Sequence, residues 1–344
     1  MQKKKSLRSS LVLKNKKKTD NKKGGKLIVT HAANFHVDDL FGTACAILLF
    51  EKRGYKKSQI KIKRSLDPKV WATADILLDI GRVYNPKKDR FDHHQDLNIT
   101  HSNGLKYAAF GLFWKKYGKE MCSFYTDLPK NSQKIADRVE DKLVVPIDSE
   151  DNGVDLFRPT IENVRPFTIR DVVEMECTPD PFSGGDDTSK EKVKNFDRGF
   201  FNLIPFAKHI IERSIMDAEA HVKIEKIAQK YFAEAPDKRV IILPQFLGYG
   251  FSKMKDPLVT IYPNARGDWS AKAVRLVSGQ FPSRIYFPEK WAGLNGEELA
   301  KVSGVSDAVF CHKGLFLAVA KSKEGAIALV NIMFKEAGFL PIKA

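Results

Sequence analysis

The stretch Leu27–Phe50 reads LIVTHAANFHVDDLFGTACAILLF, and its three parts decide the fold class. Leu27–Thr30 is a short apolar run of strand type. Asp39–Arg53 is a helix with apolar Leu40, Cys45, Ile47, Leu48 and Leu49, stopped by Gly54, and a polar loop joins the two. A strand feeding a helix in this way opens an α/β arrangement, whose ligands bind beyond the carboxyl ends of the strands. The pattern recurs. Ile60–Arg64 and Ala74–Ile80 predict further strands, the second mostly apolar as inside a parallel sheet, and Tyr107–Tyr117 predicts an amphipathic helix.

Further along, Arg158–Lys192 holds four prolines and the run Ser183-Gly184-Gly185-Asp186-Asp187, so part of it is loop, a lid or an insertion. Glu191–Ala235 has helical periodicity and a Pro205 that must kink it or divide it in two. Val240–Leu243, Leu258–Tyr262, Ala271–Leu276 and Ala308–Cys311 then read as strands, with helices near Gly296–Val302 and Lys323–Ala337. The expected organisation is a basic tail over 1–26, an α/β domain with a mainly parallel sheet flanked by helices over 27–190, a helical connector over 191–235 and a smaller α/β domain over 236–344. No internal repeat survives a comparison of the halves.

Composition bounds the rest. With 344 residues, 43% hydrophobic and 29% charged, the chain can bury a sizeable core, which excludes global disorder and fibrous repeats. No apolar run approaches the roughly 20 residues needed to cross a bilayer, so no membrane association is expected. Four scattered cysteines, Cys45, Cys122, Cys177 and Cys311, read as small core side chains in a reducing compartment: the cytoplasm or, in a eukaryote, the nucleus or mitochondrion. The formal net charge of +16 is unevenly placed, because residues 1–26 hold eleven basic residues against the single acid Asp20. Such a segment reads as a mobile tail that attracts nucleic-acid phosphates, carries a localisation signal or aids solubility.

Four clusters carry chemistry. His31, His36, Asp38 and Asp39 follow the first strand within nine residues; mixed imidazole and carboxylate donors suit Mn²⁺, while zinc or iron stays open, and so does a plain polar loop with an N-cap aspartate. Asp79 ends the apolar strand two residues before Gly81, as a ligand or a turn residue. Phe91-Asp92-His93-His94-Gln95 puts two of the chain's eight histidines side by side behind an aspartate. Ile147-Asp148-Ser149-Glu150-Asp151-Asn152-Gly153 places three carboxylates in four positions, a composition that helix termini also show.

Taken in order, these clusters resemble the motifs of the DHH phosphoesterase superfamily, and within it the family named for the melanocyte-proliferating gene product. The resemblance covers nearly the whole chain after the tail, including Phe287-Pro288-Glu289-Lys290-Trp291-Ala292-Gly293-Leu294, Gly296-Glu297-Glu298-Leu299 and Val302-Ser303-Gly304-Val305. It implies a two-metal phosphoesterase, with Mn²⁺ or Mg²⁺ held by His31, His36, Asp38, Asp79, His93 and Asp151, and Asp79 bridging. Asp39 and Asp148 are reserve ligands. Many DHH enzymes have an aspartate where His36 stands. Asp92 would support the site while His94 faces the phosphate as stabiliser or proton donor.

In the second domain the resemblance is looser. Phe310-Cys311-His312-Lys313-Gly314 is similar to a substrate loop without its run of glycines, so His312 and Lys313 are candidate phosphate contacts, as is Arg284. The same residue type at position 284 serves equally in a surface salt bridge. His101, His209 and His221 are expected to have no special role, and Trp269 and Trp291 to be core aromatics rather than base-stacking ones. The resemblance implies a 3′–5′ exonuclease on single-stranded RNA or short oligonucleotides, with a homodimer also open. Competing readings are a hydrolase of small phosphoanhydrides or cyclic dinucleotides, a non-catalytic RNA-binding protein with a structural metal and, last, a metal-dependent peptidase.

Overall fold

The computed structural model describes residues 24–95, 97–177, 190–248, 250–277 and 279–342. Residues 1–23 of the basic tail and the run Ser183–Asp187 lie outside them. Along the chain β1 (Lys26–Thr30) runs into α1 (Val37–Lys52), then β2 (Ile60–Arg64), the one-turn α2 (Pro68–Trp71), β3 (Ile76–Leu78), β4 (Tyr84–Asn85) and β5 (Arg90–Phe91). These strands form a sheet in the order β2-β1-β3-β5-β4, parallel throughout except that β4 pairs antiparallel with β5. Ile28 lies opposite Ile76 and Leu78 opposite Phe91, so β1, β3 and β5 stop at one edge of the sheet. His31, Asp79 and Asp92 are each the first residue after one of those strands. The register alone therefore gathers three of the four clusters.

Burial explains the next layer. Every residue of α1 from Val37 to Phe50 is buried, so the helix is central and not one-faced as its sequence suggests. It begins at Val37, two residues earlier than expected, because extended His36 caps it and donates its backbone N–H to Asp39 Oδ1 at 3.0 Å. Around α1 pack α3 (Ala109–Tyr125), which outruns the expected Tyr107–Tyr117, then α5 (Val145–Asp151), α6 (Ile169–Cys177) and α7 (Lys190–Glu234); α4 (Ser132–Val139) packs on α3 and α7. A π-helical turn over Glu140–Val144 joins α4 to α5, so the fourth cluster sits at the carboxyl end of a helix. None of α4, α5 or α6 was marked in the sequence reading.

The expected connector is one continuous 45-residue helix and more than a connector. Phe196, Phe200, Leu203, Ala207, Ile211 and Ile215 belong to the apolar core of the first sheet, whereas Ala228, with Ile224, Tyr231 and Phe232 packed around it, belongs to a cluster under the second. Pro205 does not divide it. The residue is exposed, so the carbonyl left without an N–H partner can turn to water.

The second sheet comprises β6 (Val240–Ile242), β7 (Val259–Pro263), β8 (Trp269–Ala273), β9 (Ala308–Cys311) and β10 (Leu317–Ala320), in the order β6-β7-β8-β10-β9, and only β6 and β7 are parallel. Alternate residues point to opposite faces. Val259, Ile261, Ala271 and Ala273 pack with residues of α8 (Gly296–Ser303) and α9 (Lys323–Glu336), while Tyr262 and Val274 join the cluster at the end of α7. Trp291 is fully buried, as expected, and Trp269 packs partly buried against the same core. No described helix is long and apolar enough to cross a membrane.

One buried cation ties α7 to the first loop. The Arg64 side chain is 1% exposed; it pairs with Asp197 of α7 at 2.7 Å, donates to the carbonyls of Ala33 and Asn34 at 2.7 and 3.2 Å, and lies over the rings of Phe35 and Phe200. Replacing it would leave two carbonyls without a donor and a part-exposed carboxylate without its cation. Arg64→Met is expected to cost about 1–3 kcal/mol in urea unfolding, chiefly through the carbonyls left unsatisfied, whereas a surface change such as Lys87→Met should cost under about 0.5 kcal/mol.

Candidate metal centre

The carboxyl edge of the first sheet assembles donors from four separated segments. His31 Nε2 lies 2.9 Å from Asp39 Oδ2 and 3.3 Å from Asp79 Oδ2. His93 Nε2 lies 3.3 Å from Asp79 Oδ1 and 3.0 Å from Asp151 Oδ2, and His36 Nδ1 is 3.7 Å from Asp151 Oδ1. Asp79 thus stands between the two imidazoles. Three overlapping groups bring ligand atoms within 4.8 Å of one another: His31, His36 and Asp79; Asp79, His93 and His94; and His36, Asp38 and Asp151.

The backbone is bent to achieve this. Asp79 has φ +55°, Gly81 +98° and Arg82 +51°, so two residues with side chains occupy the left-handed region. Such conformations cost about 1 kcal/mol or more each and persist where the surroundings impose them. Here the bend follows β3 directly and brings the Asp79 carboxylate against His31 and His93.

Whether a cation fits can be judged from the buried polar atoms. Both oxygens of Asp38, Asp39 Oδ2, Asp79 Oδ1, His31 Nε2 and His93 Nε2 are buried and make no well-aligned hydrogen bond, so the close imidazole–carboxylate approaches are the charge contact that remains among them. Among the described residues no Lys or Arg pairs with Asp38, Asp39, Asp79 or Asp151. Four carboxylates crowded in this way demand positive charge. The titration of the site expresses the same demand. Burial opposes charge on His31, yet Asp39 and Asp79 outweigh it and raise its pKa to about 11. His93 is raised to about 10, as Asp151 and Asp79 overcome burial. Burial and the neighbouring Asp79, Asp151 and Asp39 charges push Asp38 well above the usual carboxylate range, whereas His31 and His93 hold Asp79 below it despite burial. The residues fit divalent cations, which would take over the role of the imidazole protons.

Asp92 and His94 stand beside this group. Asp92 is 1% exposed and accepts from the backbone N–H of Arg82 at 2.6 Å and of His94 at 2.9 Å; its Oδ1 also lies 2.9 Å from His94 Nδ1. That contact raises the pKa of His94, whose side chain remains 54% exposed at the opening. The opening is a cleft of about 480 Å³ whose wall also includes Asn34, Trp71 and Arg82, none of them marked by the sequence reading. Arg82, three residues after Asp79, is the one of these with a local signal.

Of the reserve ligands, Asp39 lies within the cluster and Asp148 turns away from it. Asp148 Oδ2 sits 2.9 Å from His101 Nε2, and its Oδ1 accepts from the Gly111 backbone N–H at 3.0 Å. His101 Nδ1 meets Glu140 Oε1 at 2.8 Å in the π-helical turn, and the Tyr107 hydroxyl donates to the same oxygen. Burial pushes the Asp148 carboxyl up to about 6 against the pull of His101. His101, expected to have no special role, is thus a buried brace for the segment that ends in Asp151. His221 is buried within α7, with Nδ1 near the Asp217 carbonyl, and His209 is exposed.

The candidate contacts of the second sheet do not join the centre among the described residues. The Arg284 guanidinium, a candidate phosphate contact, donates to the carbonyls of Ser252, Lys255 and Pro257 and so holds a loop. His312 and Lys313 lie in the turn between β9 and β10, where His312 Nδ1 accepts from the Gly314 N–H at 2.9 Å.

The family profile MYG1_exonuc, described as "Uncharacterised protein family (UPF0160)", matches residues 27–334. Similar relatives include the MYG1 protein of Saccharomyces cerevisiae, 28% identical over 341 residues that cover 91% of this chain and 96% of the relative. Another is the MYG1 exonuclease of Homo sapiens, 25% identical over 338 residues that cover 91% and 87%. A third, the MYG1 protein of Chlamydia pneumoniae, is 27% identical over 324 residues, covering 91% and 98%. No solved structure matches significantly.

The brace is open to test at Gly111. A Cβ there would meet Asp148 Oδ2 at 1.7 Å and Tyr107 Cδ1 at 2.7 Å. Gly111→Ala should therefore destabilise the protein by about 3 kcal/mol in thermal or urea unfolding; wild-type stability in that variant would mean that the Asp148–His101 contact yields freely.

Proposed function

The chain belongs to the MYG1 exonuclease family, UPF0160, and on that premise we propose that it is a metal-dependent phosphodiesterase that removes nucleotides from the 3′ end of single-stranded RNA or short oligonucleotides. The observation that carries the reading is the set of buried carboxylate and imidazole atoms, converging without well-aligned hydrogen bonds, at the ends of three adjacent parallel strands. It is supported by the printed name of the human relative, an exonuclease. Membership of the DHH phosphoesterase superfamily is part of the same proposal and rests on the order of the four motifs.

His31, His36, Asp38, Asp79, His93 and Asp151 would hold the cations, with Asp79 shared between the two sides; imidazole with carboxylate favours Mn²⁺ over Mg²⁺. Two bound divalent ions supply an activated water and neutralise the charge that develops on phosphorus and the leaving oxygen. The chain's own residues do the remaining work. Asp92 fixes the His94 ring through Nδ1 and favours its protonated form, so the exposed edge can donate a proton or a hydrogen bond to a phosphoryl oxygen. Exposed Arg82, held at its backbone by the same Asp92, can fork onto a second phosphoryl oxygen in the cleft. Trp71 offers an apolar wall, its indole N–H already donated to the Ser65 carbonyl.

The test is digestion of 5′-labelled RNA with Mn²⁺ and an EDTA control. A ladder that shortens from the unlabelled end is expected; product released only from cyclic dinucleotides or other small phosphates would replace the substrate class. Asp79→Asn should lower the rate at least about 10³-fold with unchanged circular dichroism, since it removes one of the carboxylates that offset two cations. MnCl₂ at 100 times its dissociation constant should stabilise the wild type by about 2.7 kcal/mol, and Asp79→Asn should lose most of that gain.

A further inference from the structure

A cavity of about 300 Å³ opens on the α7 side of the second sheet, remote in sequence from the four His and Asp clusters. Lys272 of β8 and Arg275 just beyond it line this cavity together with Phe246 and Phe281, and no lining residue is acidic. Lys272 Nζ lies over the Phe246 ring at 4.8 Å; the Arg275 guanidinium lies 5.4 Å from the Phe281 ring and 5.9 Å from that of Phe316. Phe316 in turn touches the His312 ring at 4.3 Å between centroids. Two cation–aromatic pairs, Phe246 with Lys272 and Arg275 with Phe281, thus line one cavity, and Phe316 links Arg275 to His312 beyond it.

Two features set this strip apart from an ordinary basic surface. Among the described residues no carboxylate pairs with Lys272 or Arg275, although both are half-buried and face a common space. Burial and the Arg275 charge lower the pKa of Lys272, the direction expected where a cation lacks its anion. The Arg275 guanidinium donates one N–H to the Gln280 carbonyl and meets no carboxylate among the described residues. Phe281, moreover, is 88% exposed and Phe246 49%, so large rings are offered to solvent beside cations without an anion. A carboxylate ligand would satisfy the cations and leave the rings bare. A hydrocarbon would do the reverse. A strand of nucleotides satisfies both, because phosphates recur between bases that stack.

We propose that this strip is a binding site for single-stranded nucleic acid, with bases on Phe246 and Phe281 and an intervening phosphate between Lys272 and Arg275. The proposal deepens the exonuclease reading and rests on it for the identity of the bound strand as substrate; the binding itself is separable. The His312–Lys313 turn lies at the far end of the strip and would extend it by one contact.

The experiment uses the full chain and a 5′-fluorescein octamer of RNA, with anisotropy measured in EDTA so that no hydrolysis intrudes. Lys272→Gln/Arg275→Gln should weaken binding at least tenfold and flatten its salt dependence by about one phosphate contact. Phe281→Ala, at an exposed position where folding is not at stake, should weaken it at least fivefold with the salt slope unchanged. Wild-type affinity in both variants, or no binding by the wild type, overturns the proposal. So does competition by AMP as strong as by the unlabelled octamer, which would mean a mononucleotide pocket. Mn²⁺-dependent hydrolysis of bis(p-nitrophenyl) phosphate reports the metal centre alone and should be equal in all variants. Absent hydrolysis with intact, strip-dependent RNA binding would sink the exonuclease reading and leave the strip standing.

Discussion

Four aspartates share a buried volume that among the described residues contains no lysine or arginine partner, and this imbalance constrains everything around it. Carboxylates packed so closely repel one another by several kcal/mol unless positive charge enters. The fold supplies the geometry at a cost it must recover elsewhere: a left-handed Asp79, a capped helix that begins inside the cluster, and a loop held by buried Arg64. Recovery comes from the apolar mass behind the edge, where α1 is buried along nearly its whole length against the sheet and four helices.

Around the centre the polar residues divide by burial. Asp92 is sealed and spends both oxygens on backbone donors and on His94, which itself reaches solvent. Asp148 is sealed likewise and serves the His101 brace. The same residue type thus stands open towards the cluster at 79 and 151 and serves as support at 92 and 148, and what separates them is whether neighbouring N–H groups already occupy the oxygens. Sequence spacing carries none of that information.

The legible part of the sequence was the part written in local patterns. The strand–loop–helix of Leu27–Phe50 and the apolar run before Asp79 announced a mainly parallel sheet, and the order of His and Asp clusters announced which loops matter, because residues directly after parallel strands share one edge. What stayed hidden depends on contacts made at long range. His101 looked idle because its partners Asp148 and Glu140 lie 47 and 39 residues away. Arg284 looked free because the carbonyls it serves carry no sequence signature. The helices that end in Asp151 were masked by a π-helical turn and Pro146, which break the usual periodicity. Pro205 pointed to an interruption because composition cannot say which side of a helix faces water.

On α7 the last residue of the first core is Val222 and the first that packs under the second sheet is Ile224. No stretch of unattached chain separates them, and Pro205 falls well inside the first core's share. The helix therefore offers no hinge at the boundary, and a clamp-like opening between the two sheets would require unwinding a packed turn. Cleft and strip accordingly keep a fixed separation, like jaws on a common spindle, and a strand that reaches both is measured by its length.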